Sequence, residues 1–92
     1  MASMVYILKS EQNGRYYVGS TGDVAKRLAN HNSGGTPSAR PHRPWKLVYV
    51  EEHGTPEEER RRERAIKRQK SRRYIERMIR WAGPVDGRGR AV

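Results

Sequence analysis

Tyr6 and Tyr17 each lie in a short run of residues that favours β-strand. If these runs pair as antiparallel strands, the two phenols can lie near each other on one face of a sheet. Two phenols in a cleft can orient or deprotonate a water molecule, provided that nearby positive charge lowers the phenol pKa from its usual value of about 10. Aromatic residues also pack on strands with no chemical role, so both interpretations remain open.

Arg27 and His31 lie one helical turn apart in the segment that follows. Arg27 can donate two hydrogen bonds to a phosphate and stabilise the charge of a pentacovalent transition state. The alternative interpretation of Arg27 is that it forms an exposed ion pair with Asp23, at i, i+4 spacing. His31 can protonate a leaving oxygen or bind phosphate. Its alternative is a helix-end histidine that interacts with the helix dipole.

Glu63 precedes Ile66 by three residues, so the two side chains share a helix face. Ile66 is the only large aliphatic residue of this helix and is expected to mark the face toward the sheet. A carboxylate there can hold Mg²⁺ or Mn²⁺ together with water and substrate oxygens, and the ion polarises a phosphate. No second inward carboxylate is expected at helical spacing, so one metal ion is predicted. The alternative is an exposed pair between Glu63 and Lys67.

Positive charge dominates the composition. Twenty Lys and Arg against ten Asp and Glu give a net charge of +10, and nucleic acid is the usual partner of so basic a small domain. Eleven basic residues lie within residues 60–80, where phosphate contacts would position the protein without reading bases. An anionic membrane is the alternative partner, but the sequence shows no apolar helix face with aromatic anchors that could insert into one. The predicted nucleic-acid contacts are Arg15, Arg40, Arg43, Arg60, Arg64, Lys67, Arg68, Lys70, Arg72 and Arg73.

The elements that must position these side chains follow the order β-β-α-β-α-α. Strands are predicted over residues 4–9, 15–19 and 46–51, the first two joined by an Asn-Gly turn. Helices are predicted over residues 23–31 and 55–70, and between Ser71 and Gly83. The pattern predicts an α+β fold in which a small three-stranded antiparallel sheet is flanked by helices. It predicts one domain over residues 1–83 and a disordered tail over residues 84–92.

The chain has no cysteine, which fits a reducing compartment. It has no apolar run long enough for a membrane span or a signal peptide. These features predict a cytoplasmic protein.

Taken together, these residues resemble the GIY-YIG nuclease superfamily, and most of all its small stand-alone bacterial members. Met4-Val5-Tyr6 and Tyr17-Val18-Gly19 match its paired motifs, although the first keeps only the Tyr and the second has Val in place of Ile. The resemblance covers residues 4–80. The series continues through Arg27, His31, residues 45–49 and residues 62–67.

The resemblance implies a metal-dependent endonuclease that hydrolyses phosphodiester bonds in DNA, including structured or damaged DNA, with low sequence specificity. It implies that Tyr17 activates water and that Tyr6 is its hydrogen-bonding companion. The other implied catalytic residues are Arg27, His31 and Glu63, with Glu63 as the metal ligand.

Two departures from the superfamily affect these expectations. Some members use a polar residue such as Asn late in the domain, but no Asn or His follows His53. Either Ser71 or water takes that role, or the activity is reduced. The separate DNA-binding domain of larger members is also missing from these residues, so a homodimer or a partner protein is expected to supply any specificity. Two rival functions are a non-catalytic module that binds DNA or RNA on the same fold, and a ribosome-associated basic protein.

Overall fold

The computed structural model describes residues 3–90, which form a sheet with helices packed on it. The strands are β1 (Ser3–Ser10), β2 (Tyr16–Thr21) and β3 (Trp45–His53). The helices are α1 (Val24–Asn32), α2 (Pro56–Gln69) and α3 (Arg72–Ala82), and a short 3-10 helix spans Arg40–His42. This order confirms the predicted β-β-α-β-α-α pattern and the α+β fold. Between residues 3 and 90, no helix is long and apolar enough to cross a membrane.

The central strand of the antiparallel sheet is β1, which pairs with β2 on one side and β3 on the other. A β-bulge interrupts the pairing with β3. Ile7 opposes Tyr49 whereas Leu8 opposes Leu47, so Val48 is the extra residue. Because the bulge shifts the alternation of side chains by one residue, Leu47 faces one side of the sheet and Tyr49 faces the other.

Helices cover both faces of the sheet. On the first, the α1 face, Tyr6, Leu8 and Leu47 form a buried cluster with Val24 of α1. Helices α2 and α3 cover the second, the α2 face, where Ile66 is 1% exposed. Ile66 therefore marks the inward side of α2, as the sequence predicted.

Each helix begins at the residue expected from the sequence. The side chains of Asp23, Thr55 and Ser71 accept hydrogen bonds from backbone N–H groups three residues further on, at 3.0, 3.2 and 3.2 Å. These N-caps satisfy backbone donors that the first helical turn leaves without partners. Ser71, expected as one substitute for the late polar residue of the superfamily, is engaged in its cap.

Residues 84–90 follow a defined path, which differs from the disordered tail expected from their composition. Val85 packs against the cluster on the α1 face. The carboxylate of Asp86 accepts hydrogen bonds from the backbone N–H groups of Arg88 and Arg90, at 2.8 and 3.0 Å. One partly buried side chain therefore contacts the domain, and a hydrogen-bonded turn organises residues 86–90. The remainder of the expected tail, residues 91 and 92, lies outside the described residues.

Candidate active site

Tyr6 and Tyr17 lie together on the α1 face, which confirms the expected proximity of the two phenols. They are diagonal neighbours, since Tyr6 opposes Gly19 and Tyr17 opposes Leu8. Their ring centroids are 6.4 Å apart and the ring planes differ by 23°. The side chains thus form one aromatic pair across β1 and β2.

Gly19 is required by the position of Tyr6. A Cβ atom at residue 19 would lie 2.5 Å from the Tyr6 hydroxyl oxygen and 2.7 Å from its Cζ, both closer than real contacts of this kind. The phenol therefore lies against the backbone of β2. The second motif ends in glycine for a steric reason, because only a residue without Cβ lets the Tyr6 ring approach this closely.

His31 of α1 lies buried behind the tyrosine pair, with no exposed surface. A hydrogen bond of 3.1 Å joins its Nε2 to the Tyr6 hydroxyl, and its ring meets the Tyr17 ring edge-on at 4.7 Å. Burial, with a smaller contribution from the positive charge of Arg27, lowers the pKa of His31. The imidazole is therefore neutral near pH 7. A neutral, enclosed ring does not suit the expected roles of phosphate binding or proton donation to a leaving oxygen, but it does orient Tyr6.

The second ring nitrogen of His31 indicates which tautomer is present. Nδ1 is buried and has no hydrogen-bond partner among the residues that the structure describes. A buried N–H without an acceptor is rarer in proteins than a lone pair without a donor. We infer that the proton lies on Nε2, which donates to the Tyr6 oxygen. The Tyr6 hydroxyl then keeps its own proton for a further acceptor.

Tyr6 itself stays protonated at neutral pH. Burial raises the pKa of Tyr6 well above its ordinary value, Tyr17 and Glu63 raise it further, and Arg27 lowers it in part. Such a phenol is not a base, which agrees with the companion role implied for Tyr6.

Arg27 is exposed on α1, one helical turn before His31. Within residues 3–90 it forms no ion pair, so the alternative pairing with Asp23 is not formed. Asp23 instead caps α1. An exposed guanidinium without an ion pair can donate to a phosphate.

Glu63 approaches from α2, beside Ser20 of β2. Its carboxylate accepts a hydrogen bond from Nζ of Lys67 at 2.8 Å, and its side chain is 22% exposed. Burial alone would raise the pKa of Glu63. The hydrogen bonds from Lys67 and the Ser20 hydroxyl lower this pKa by more than burial raises it, so the net shift is downward and the carboxylate is ionised. Both interpretations of Glu63 are therefore realised in part, because the Lys67 pair forms while the side chain is mostly enclosed.

The donors around Glu63 suit a hard cation held by few protein ligands. In the described part of the chain, no three His, Asp or Glu side chains gather into a group that could hold a metal ion. Mg²⁺ is commonly bound through one or two carboxylates, with water and phosphate oxygens completing its shell. The ionised Glu63 fits that pattern. Its Oε2 is shared with Lys67, so an ion would compete with this ammonium group.

Glu59 is a second inward carboxylate, so the expectation that α2 has none was wrong. It lies one turn before Glu63 and is 7% exposed. Glu59, Glu63 and Ile66 follow the i, i+4, i+7 spacing of one helix face. The helical spacing of the sequence therefore contains this inward face, and Ile66 is only its aliphatic member.

All ten basic residues predicted to contact nucleic acid are exposed. Arg72 is also structural, since it donates to the Gly14 carbonyl at 2.8 Å and its guanidinium carbon lies 4.8 Å from the centre of the Tyr16 ring. Three others hold local structure through side-chain hydrogen bonds, namely Arg40, Arg43 and Lys67. Six have no side-chain hydrogen bond or ion pair within residues 3–90: Arg15, Arg60, Arg64, Arg68, Lys70 and Arg73. These six unpaired members of the predicted contacts are called the unpaired basic surface below.

Comparison with known proteins identifies the class to which this fold and site belong. A family model described as the GIY-YIG catalytic domain matches residues 2–75, and the chain belongs to the GIY-YIG family. This confirms the resemblance seen in the motifs.

Among individual proteins, the chain is similar to those named UPF0213. It is 40% identical over 67 residues to the UPF0213 protein of Streptococcus pneumoniae serotype 4, covering 72% of this chain and 67% of that protein. It is 41% identical over 76 residues to one from Staphylococcus haemolyticus, covering 78% and 92%. The solution NMR structure of the Bacillus halodurans UPF0213 protein matches with a TM-score of 0.58 and 36% identity, over 90% of this chain and 87% of that one.

Proposed function

We propose that the protein is a metal-dependent endonuclease that hydrolyses phosphodiester bonds in DNA. The observation that carries the proposal is the packing of Tyr17 among three rings. Its ring centroid lies 6.4 Å from Tyr6, 4.7 Å from His31 and 6.1 Å from Trp45. Such packing fixes the orientation of the phenol, as catalysis by positioning requires. Arg27 and Glu63 both act on the pKa of Tyr6, and the family model that matches the chain describes a catalytic domain.

Burial divides the five candidate residues into two groups. Tyr6 is 2% exposed and His31 is fully buried, whereas Tyr17, Arg27 and Glu63 retain access to solvent. In this proposal Tyr17 and Arg27 contact water and phosphate, and Glu63 holds Mg²⁺ or Mn²⁺. Tyr6 and His31 are positioning residues, because neither can touch DNA without leaving the core.

Each accessible group then has one task. Tyr17 orients the attacking water. Once its own phenol proton has passed to solvent, its oxygen accepts a proton from that water as the water oxygen bonds to phosphorus and the bond to the leaving oxygen breaks. Arg27 donates to the phosphate oxygens and stabilises the charge that grows on them. A divalent ion bound at Glu63 would polarise the phosphate and offset charge on the leaving oxygen. Since His31 is neutral and enclosed, the leaving oxygen takes its proton from water.

The unpaired basic surface supports DNA as a substrate that is held without sequence recognition. Arg60, Arg64 and Arg68 lie on α2 together with Glu63. Contacts from such residues to phosphates fix orientation but carry no sequence information. Binding of this kind is strongly dependent on salt concentration.

One observation favours a second candidate function, a non-catalytic module that binds DNA or RNA. The ion pair between Lys67 and Glu63, at 2.8 Å, occupies the carboxylate on which metal binding depends. If that pair persists in the bound state, the fold retains its basic surface without turnover.

Glu63→Gln separates the two functions. The substitution keeps the size of the side chain and removes the charge, so the endonuclease should lose Mg²⁺-dependent cleavage by several orders of magnitude, each factor of ten being about 1.4 kcal/mol. Binding to DNA in EDTA should be unchanged or tighter, because a negative charge leaves a surface that meets phosphates. Single-turnover cleavage of labelled duplexes, branched DNA and single strands measures the first effect, and a binding titration measures the second.

Glu76→Gln is the matched control. Glu76 also forms an i, i+4 pair, with Arg72 at 3.8 Å, but is exposed on α3. This variant should cleave like the parent. Full cleavage by Glu63→Gln would reject the metal-ligand role, and absence of cleavage by the parent with both ions would leave the binding module as the function.

A further inference from the structure

Trp81, in the last turn of α3, is exposed over 92% of its surface. No other large hydrophobic side chain among residues 3–90 is exposed. A cleft of about 400 Å³ lies beside the indole, between α3 and the end of β3. This volume falls within the range of roughly 300–1,000 Å³ that small organic groups occupy in proteins.

The floor of this cleft is a network of polar side chains that form hydrogen bonds with one another. Glu51 accepts hydrogen bonds from the Tyr49 hydroxyl at 2.9 Å, from Nε of Arg62 at 2.8 Å and from Nε2 of His53 at 2.9 Å. Burial alone would raise the pKa of Glu51. These three partners together lower the pKa by more than burial raises it, so the Glu51 carboxylate stays charged at neutral pH. Most of its donors and acceptors are therefore engaged, and few remain to read the edge of a bound group.

The rim of the cleft is aromatic and positively charged. Arg77 lies one helical turn before Trp81 and also lines the cleft. It is exposed and forms no ion pair within the part of the chain that the structure describes. A flat aromatic ring beside a guanidinium suits a group that joins a planar ring to a phosphate, as a nucleotide does.

We propose that Trp81 stacks on an unpaired base of bound nucleic acid while Arg77 contacts an adjoining phosphate. The inference rests on the proposed function for the identity of the partner, and it narrows the substrate to nucleic acid with unpaired nucleotides, such as a tail, flap or branch. A base inside a duplex is stacked on both faces and offers none to Trp81. Because the floor of the cleft is engaged, stacking is tolerant of base identity.

Other occupants fit the surface less well. A stable protein interface buries about 800 Å² on each partner, but Trp81 is the single exposed large apolar side chain in residues 3–90. In a dimer formed through this surface, the arginines of α3 would face those of the second copy, and two chains of net charge +10 would repel each other. A single base, in contrast, needs only one ring for stacking.

The cleft and the tyrosine pair lie on opposite faces of the sheet. Tyr49 opposes Ile7, the neighbour of Tyr6, and successive residues of a strand face opposite sides of the sheet. The stacked base therefore does not contact Tyr6 or Tyr17. Loss of Trp81 should weaken substrate binding and leave the rate of the bound complex unchanged.

The test compares Trp81→Ala with Trp81→Phe on a duplex and on the same duplex with a short single-stranded tail of thymidines or adenosines. Trp81→Ala should lose about tenfold or more in affinity for both tailed forms, as expected for one base stacked on one aromatic ring. Its affinity for the plain duplex should match the parent. Trp81→Phe should retain most of the preference for a tail. Because Trp45 is 5% exposed, the difference in fluorescence between the parent and Trp81→Phe isolates Trp81, and tailed DNA should quench it.

Equal loss on plain and tailed duplexes, or unchanged affinity of Trp81→Ala for tailed DNA, would overturn the inference while leaving the endonuclease proposal intact. A parent that sediments as a dimer, with a monomeric Trp81→Ala, would assign the ring to a second copy and overturn it as well. A Trp81-dependent preference for tails in a protein that does not cleave would support the stacking site and reject only the endonuclease. If the parent binds no nucleic acid in any form, both proposals fail.

Discussion

Gly19→Ala tests how the candidate site holds Tyr6. The added Cβ would lie 2.5 Å from the Tyr6 hydroxyl oxygen, so the ring must move by about 0.5 Å or more to reach even the shortest contact that real structures show. That movement weakens the 3.1 Å hydrogen bond to His31. His31, whose Nδ1 already has no partner in the described part of the chain, would then be buried with both ring nitrogens unsatisfied.

The two effects add to a large loss of stability for so small a domain. Forcing a methyl group into a packed core costs about 1–3 kcal/mol, and leaving a buried polar group unsatisfied costs about 1–3 kcal/mol more. Each kcal/mol lowers the Tm of a domain of this size by about 4–8 °C. Gly19→Ala should therefore melt about 10 °C or more below the parent, and its cleavage should slow because Tyr17 loses a neighbour that orients it.

Thermal unfolding followed by circular dichroism measures the first effect, with Gly54→Ala as the matched control. A Cβ at residue 54 meets only the end of the Glu58 side chain, at 3.9 Å. The control should melt within a few degrees of the parent. If both alanine variants melt together, Tyr6 does not lie against the backbone of β2, and the account of the motif glycine is wrong.

Three further predictions concern the phenols, the basic surface and pH. Tyr17→Phe should slow single-turnover cleavage by about 10²-fold or more and Tyr6→Phe by less, because Tyr6 acts through Tyr17; equal rates for the parent and both variants would make the phenols structural. Replacing Arg68 and Arg73 by Gln should reduce the slope of log affinity against log salt by about two, equally for all DNA sequences, and an unchanged slope would place the phosphates elsewhere. The free energy of unfolding should fall as the pH drops through about 6.5, because the unfolded chain then binds a proton that the buried His31, with its lowered pKa, does not. Chemical denaturation of His31→Gln should show a weaker pH dependence, and an identical one would contradict the burial argument.

Local features of the fold were predictable because they depend on neighbouring residues. The caps Asp23, Thr55 and Ser71 each act on a backbone group three residues away, so the helix starts can be read from the sequence. The bulge at Val48 was not predictable, because it is defined only when β3 pairs with β1. The strand order has the same origin.

The candidate site divides in the same way. The proximity of Tyr6 and Tyr17 followed from a short hairpin, but the enclosure of His31 depends on how α1 packs against the sheet. That packing buries His31 and lowers its pKa, so the ring is neutral near pH 7. The inward side chain of Glu59 belonged to a helical spacing that the sequence contained. Recognising it required treating a carboxylate as a residue that faces the sheet.

The central position of β1 has a consequence for how the chain acquires its structure. One edge of β1 pairs with β2, which is connected to it by a short turn. The other edge pairs with β3, which begins only at Trp45 and is therefore far away along the chain. Pairings between distant segments form slowly, because a long loop must close first. Until β3 arrives, residues 4–8 present an open edge that is uncharged, rich in β-forming residues and free of proline, which are the properties of segments that assemble into intermolecular sheets. Refolding yield should therefore fall as protein concentration rises, and nucleic acid present during refolding would protect the chain only after this edge has closed.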